Sequence, residues 1–248
     1  MAWLALLLAH LLILFLVIVV PIRGFQRYRV LMRRIARHPE LRAKFYVQGM
    51  LAQWLMLIPL VVIIFGLGWS PHILGLQPPD NIFLALFFGI ILVSAFYIQV
   101  FYISRASRTS EGRTQLRQSM SGPLHMLPRT SRERALWVLL SLTAGFCEEL
   151  LYRGFMPEYL NRIFPGIPFV LALVVAAVLF GIGHVYQKLP GVLGTGLMGL
   201  VFGFLYFFTG SLFMPMLVHA LFDLRLLFID VPTIVDNTEE TPGAVHVS

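Results

Sequence analysis

The strongest constraint in this sequence is a series of long apolar runs with arginines gathered between them. A helix needs about 20 apolar residues to cross a hydrocarbon core. Seven stretches come close to or exceed that length: 2–21, 46–68, 82–103, 136–156, 167–187, 190–208 and 211–229. Lipid offers no partner for backbone N–H and C=O groups, so such runs must satisfy themselves as helices. The sequence therefore predicts an all-α fold, a polytopic transmembrane helix bundle of about seven spans. Charged residues make up only 12% of the chain, against about 25% in soluble domains. That excludes an ordinary soluble enzyme, and the apolar content excludes disorder over most of the length.

The distribution of charge sets an orientation. Segment 22–45 holds Arg23, Arg27, Arg29, Arg33, Arg34, Arg37, Arg42 and Lys44 against one acid, Glu40. Segment 104–135 holds Arg105, Arg108, Arg113, Arg117, Arg129, Arg132 and Arg134, whereas 69–81 between them has no Lys or Arg. Cytoplasmic loops carry the positive excess. This places both basic segments inside, the N-terminus outside and, after seven spans, the C-terminus in the cytoplasm. The first run has no preceding positive charge and reads as a retained anchor rather than a cleaved signal. The net charge of +7 then reflects topology and contact with anionic membrane lipid, not nucleic acid. Three parts follow: N-terminal helices and basic loops over 1–129, an apolar helical core over 130–229, and a short acidic tail over 230–248. Short loops suit a bacterial plasma membrane. Thr130 or Ser131, followed by Glu133 or Arg134, can cap a helix that starts at the interface and enters the membrane near Trp137.

Gly194, Gly196 and Gly199 spell GxGxxG, but no strand or βαβ unit surrounds them. In an apolar run they read as close helix packing. The single cysteine, Cys147, excludes an intrachain disulfide and a cysteine-rich metal site. It reads as a small apolar filler. His10 reads as a packed or interfacial residue, and His38, His72, His125 and His246 have no recognisable partners.

Ionisable groups inside a span are costly and point to function. Spans 2 and 3 have none in their interior. The last four spans carry Glu148, Glu149 and Arg153, then His184, then His219, Asp223 and Arg225. Glu149 and Arg153 are four apart, so they share a helix face and can pair. Glu148 is turned about 100° from Glu149 and is left for chemistry. Phe180 and His184 share a face, as do His219 and Asp223.

Several chemistries fit such a set. A carboxylate near an imidazole can hold a water and take its proton. The hydroxide then attacks a carbonyl, while a second His and a neighbouring oxygen group stabilise the oxyanion or protonate the leaving amine. Glu148, His184, His219 and Asp223 are equally able to bind zinc with a position left for water. No HExxH decides between the two. A proton or ion pathway, and a polar network that only joins helices, are the other readings.

The motifs also resemble a known family. EELLYR (148–153) is an EExxxR pattern, FGIGH (180–184) an FxxxH pattern, and HALFD (219–223) an HxxxN/D pattern. In this order on successive apolar helices they resemble the CPBP intramembrane proteases. That family includes the type II CAAX prenyl endopeptidases and bacterial bacteriocin-processing or immunity proteins. The resemblance covers about 130–229. It implies an endopeptidase acting on a peptide or a lipidated, membrane-associated protein. Glu148 would activate water, His184 would help hold it, and His219 and Asp223 would line the oxyanion side. Glu149, Arg153 and Phe180 would support the site. It also implies a glutamic mechanism without a cofactor, with zinc as the alternative. Position 223 is Asp where the eukaryotic prenyl proteases usually carry Asn. An ionised Asp repels an oxyanion, so it must be protonated, orient His219 or bind metal. Two other functions compete: an ion- or proton-coupled transporter, and a non-enzymatic membrane immunity protein. If the site opens toward the cytoplasm, His184 lies about 17 residues, roughly 25 Å, along a helix running inward from 167. Glu148 lies about 12 residues along a helix entering at 136. These depths meet only if the latter helix begins later than 136.

Overall fold

The computed structural model describes residues 2–119 and 123–229; the acidic tail lies outside them. Among the described residues every regular element is helical. Five helices are long and apolar enough to cross a membrane: Ala2–Arg37 (α1), Leu41–Leu67 (α2), Ile82–Ala106 (α3), Ser131–Ile163 (α5) and the segment Val185–Thr209. The regular α-helical part of this last segment, Lys188–Thr209, is α7. A short polar helix, Ser110–Ser119 (α4), precedes α5. Two of the seven apolar runs form shorter helices, Phe169–Gly183 (α6) and Phe213–Leu224 (α8). At 1.5 Å per residue they reach only about 22 and 18 Å, less than the hydrocarbon thickness.

The first basic segment is not a loop. Helix α1 passes through a π turn at Phe15–Val19 and continues to Arg37. Arginine and glutamine are good helix formers, and Met32 and Ile35 give this stretch a buried stripe while Arg33, Arg34 and Arg37 stay exposed. Pro39 ends the helix by disfavouring helical geometry at His38, whose φ is −132°. The reversal to α2 is thus only a few residues long.

Helix α5 is central. It packs against α2 on one side and α8 on another, while α1 lies on α2 and α6 lies on α7. Its start is set by a capping box: Thr130 Oγ1 accepts from Glu133 N at 3.2 Å, and Glu133 Oε2 accepts from Thr130 N at 3.1 Å. Glu133 also receives both bonds of a buried pair with Arg42 Nη1, 2.9 Å to each oxygen. This pair ties the start of α5 to the start of α2.

The bundle has two chemically distinct ends. At one, the 69–81 loop meets the α7–α8 turn: Asp80 N donates to Thr209 O at 2.9 Å, and Leu212 N to Gly75 O at 2.9 Å. At the other end Tyr28 of α1 packs on Tyr186, ring centroids 5.0 Å apart. The break between α6 and α7 therefore sits beside the arginine-bearing turns of α1.

Helix α5 begins at Ser131, earlier than 136, so the depth count from the membrane surface does not bring Glu148 and His184 together. The turn shared by α5 and α6 gives a second measure. Glu148 lies about 15 residues before the end of α5, and His184 about 15 residues after the start of α6. Each is about 22 Å from the same reversal, so the two antiparallel helices bring them to one level.

Candidate functional site

Helix α5 supplies two adjacent glutamates with different surroundings. Glu149 is fully buried, and its Oε1 accepts from Arg153 Nη1 at 2.8 Å and pairs with His219 Nδ1 at 2.7 Å. Arg153 has its guanidinium carbon 4.4 Å over the Phe180 ring and 5.4 Å from that of Phe202, contacts that favour a desolvated cation. Directly after Glu149 the helix widens to π geometry over Leu150–Phe155, where Met156 N bonds to Leu151 O. Such single-turn π bulges recur at functional sites.

Glu148 is turned away from this pair. Its Oε1 accepts from Gln53 Nε2 at 2.8 Å, and its Oε2 stands 3.9 Å from His219 Nε2. Its side chain keeps 18% exposure against 0% for Glu149. One glutamate is sealed by a guanidinium and an imidazole. The other keeps an oxygen directed at the open side of the same imidazole.

The close approach of α8 makes this possible. A Cβ at Gly145 would lie 2.7 Å from Met216 O and 3.1 Å from Ala220 N. Without a side chain there, α8 lies almost against α5, one turn before Glu149. His219 reaches both glutamates, stacks on Phe202 at 5.2 Å, and has Asp223 Oδ2 3.8 Å from its Nε2. Asp223 itself is partly exposed, and its backbone oxygen accepts from Trp137 Nε1 at 3.2 Å. Residues 148, 149, 153, 219 and 223 thus form one connected group.

His184 is set slightly apart. It caps α6, where the helix gives way to the short turn Val185–Gln187. Its Nδ1 bonds Phe180 O at 2.9 Å, and its ring lies 4.7 Å from Phe180 and 5.7 Å from Tyr186. It makes no hydrogen bond or ion pair with Glu148 among the described residues. Phe180 is the hub: it touches His184, His219, Tyr152 and Arg153. Beyond Tyr186, Lys188 adopts φ +65°, a region bulky side chains seldom occupy.

The motif-bearing helices and their geometry coincide with a single family model. Residues 130–225 match the type II CAAX prenyl endopeptidase, Rce1-like, model. The matched segment, less than half of the chain, is similar to an Rce1-like domain. No curated protein and no solved structure matches the chain. The match and the five long apolar helices support a membrane location and an intramembrane CAAX-type endopeptidase.

Of the three motif glycines, Gly199 serves close helix packing, whereas nothing lies within 4 Å of a Cβ at Gly194. Gly199 faces Ala177 of α6 and the Arg153 guanidinium; a Cβ there would lie 2.9 Å from Arg153 Nη2. Cys147 is buried and reduced.

Among the described residues no three His, Cys, Asp or Glu groups are arranged to hold an ion. His219 Nδ1 is committed to Glu149, and its Nε2 is nearly 4 Å from both other carboxylates.

Gln53, Tyr152, Tyr186 and Phe202 were not among the residues predicted from sequence. Tyr152 lies inside the EELLYR motif, Tyr186 two residues beyond His184, and Phe202 in the sixth apolar run. Gln53 is a lone amide in the second apolar run, and that polarity was the one signal available.

Proposed function

We propose that this protein hydrolyses a peptide bond near the end of a prenylated or otherwise membrane-associated chain, with Glu148 as the general base. The observation that carries this reading is the division of labour between the glutamates: Arg153 and His219 hold Glu149, while Glu148 forms no ion pair with an Arg or Lys among the described residues.

Glu148 takes a proton from water as the oxygen attacks the carbonyl carbon. The carbonyl of Phe180 can only accept, so His184 Nδ1 carries the proton of that bond. Its Nε2 is then an acceptor that can hold the same water. Glu149 likewise receives the Nδ1 proton of His219, which turns Nε2 of His219 toward the reacting carbonyl. With Nε2 also protonated, His219 donates to the developing oxyanion. Asp223, 3.8 Å from Nε2, acts on the imidazole as orienter and countercharge rather than on the oxyanion. The C–N bond then breaks, and the proton on Glu148 passes to the leaving amine.

The fold supports access from the cytoplasm. Helices α6 and α8 are too short to span and end near the site. Irregular backbone at membrane depth is tolerated only inside protein or against a water-filled cavity. The Tyr28–Tyr186 contact sets the α6–α7 break beside the basic turns of α1, which the positive-inside rule assigns to the cytoplasm. The N-terminus then lies outside and the C-terminus inside.

The test is cleavage of a farnesylated peptide with three residues after the modified cysteine, by purified protein in nanodiscs. Glu148→Gln, His184→Ala and His219→Ala are compared with wild type. Glu148→Gln is expected to fold normally and lose about 10³-fold or more in kcat, a barrier rise of about 4 kcal/mol. Wild-type cleavage should survive chelation. A folded Glu148→Gln protein that cleaves at the wild-type rate would falsify the mechanism. Protein-dependent ion flux in liposomes without cleavage would favour a transporter instead.

A further inference from the structure

Glu148 has one hydrogen-bond donor fixed on it, and that donor comes from outside the Rce1-like domain. Gln53 lies in α2, and its Nε2 is 2.8 Å from Glu148 Oε1. The neighbouring contacts hold α2 and α5 in register at this level. Gly49, one turn before Gln53, faces Leu140, and Trp54 stacks on Phe146 with ring centroids 5.6 Å apart.

The orientation of the amide follows from chemistry. An ionised carboxylate can only accept, so Gln53 must present its NH₂ to Glu148. Its own Oε1 is then buried with no hydrogen-bond partner among the described residues. The amide donor of Gln53 is thus committed to the carboxylate of the proposed base.

We infer that Gln53 is a positioning residue for the general base: it fixes Glu148 Oε1, so that Oε2 is the oxygen presented to water and to His219. This rests on the hydrolytic role of Glu148 proposed above. It makes α2 part of the catalytic apparatus, although the family match begins only at residue 130.

The experiment uses Gln53→Met, which keeps the length and flexibility of the side chain but has no donor. With the full chain in nanodiscs and the same farnesylated peptide, kcat should fall about 10- to 100-fold, as expected for loss of a hydrogen bond to a charged group. KM should stay within about twofold and the melting temperature should be retained. Infrared difference spectra against Glu148→Gln, taken without substrate, should show the Glu148 carboxylate band shifted in Gln53→Met. A wild-type kcat, or an unshifted band, overturns the assignment. So does a rate loss that follows loss of folded protein. If wild type cleaves nothing, the protease reading fails; a band shift in that case overturns the hydrolytic role, because the contact would then serve another process.

Discussion

Helices α3 and α5 are both long enough to span a bilayer, and their contrast shows what burial means in this molecule. In the most apolar window of α3 the mean hydropathy is 2.4 and 6% of residues are buried; in that of α5 the values are 1.4 and 56%. The less apolar helix is the central one. In water the relation would be reversed, because burial there is driven by removing apolar surface from solvent. In lipid, Phe83, Phe87, Ile90 and Tyr97 of α3 are at home facing outward. The interior adds charge pairs and close-packed small residues to its aliphatic and aromatic side chains. Helix α5 is where it is because Glu149 and Arg153 cannot face hydrocarbon, and Gly145 lets α8 approach it.

The sharpest way to break this comparison is to remove the charge partner on α5. Arg153→Ala leaves Glu149 facing a fully buried environment with only His219 beside it. A loss of about 3–5 kcal/mol is expected, seen as reduced abundance and a lower thermal midpoint as well as lost cleavage. Unchanged abundance and midpoint would mean that the pair does not hold the core.

This pair and its neighbours show where sequence reasoning reached and where it stopped. The i, i+4 spacing made the contact of Glu149 with Arg153 readable, because a helix fixes it locally. The all-α architecture was readable too, because hydropathy and length decide it. The Arg42–Glu133 bridge was not. Arg42 read as one of several topology-setting charges and Glu133 as a cap, and nothing local joins residues 91 positions apart. The basic turns of α1 read as a loop because charge marks the end of the apolar run, not the end of the helix. Gln53 was passed over because the search was for ionisable groups, and an amide is not one. Depth counted from the membrane surface does not align His184 with Glu148; counted from the α5–α6 turn, the two lie about equally far along their helices.

A smaller effect separates tight from open packing. Gly145→Val puts a side chain where α8 backbone already lies, since even a Cβ would be 2.7 Å from Met216 O. Overpacking of this kind costs about 1–3 kcal/mol. Activity should fall further than stability, by up to about 100-fold, because His219 is carried away from both glutamates. The matched control is Gly194→Val on α7, where nothing lies within 4 Å of the added Cβ and near-wild-type behaviour is expected. Equal damage from the two substitutions would show that helix propensity, rather than the α5–α8 approach, governs the result.

The smallest effect belongs to α3 and tests the comparison from its quiet side. Ile90 is 69% exposed on the surface of the bundle. In a membrane that surface meets acyl chains, so Ile90→Ala trades lipid contact for lipid contact and opens no cavity. A change within about 0.5 kcal/mol is expected, with cleavage unaltered. Leu151 of α5 is only 1% exposed and packs in the cluster that includes Tyr152 and Phe180. Leu151→Ala should cost about 2–5 kcal/mol, because the neighbours cannot all relax into the space left behind. The two changes remove aliphatic side chains of the same size from helices that both pass for transmembrane spans. If unfolding in mixed detergent shows equal losses, α3 is packed against something other than lipid, such as a second protein chain, and its exposed face is an interface. If the losses differ as expected, α3 separates the catalytic bundle from lipid, and its side chains can be exchanged among apolar residues without touching the chemistry.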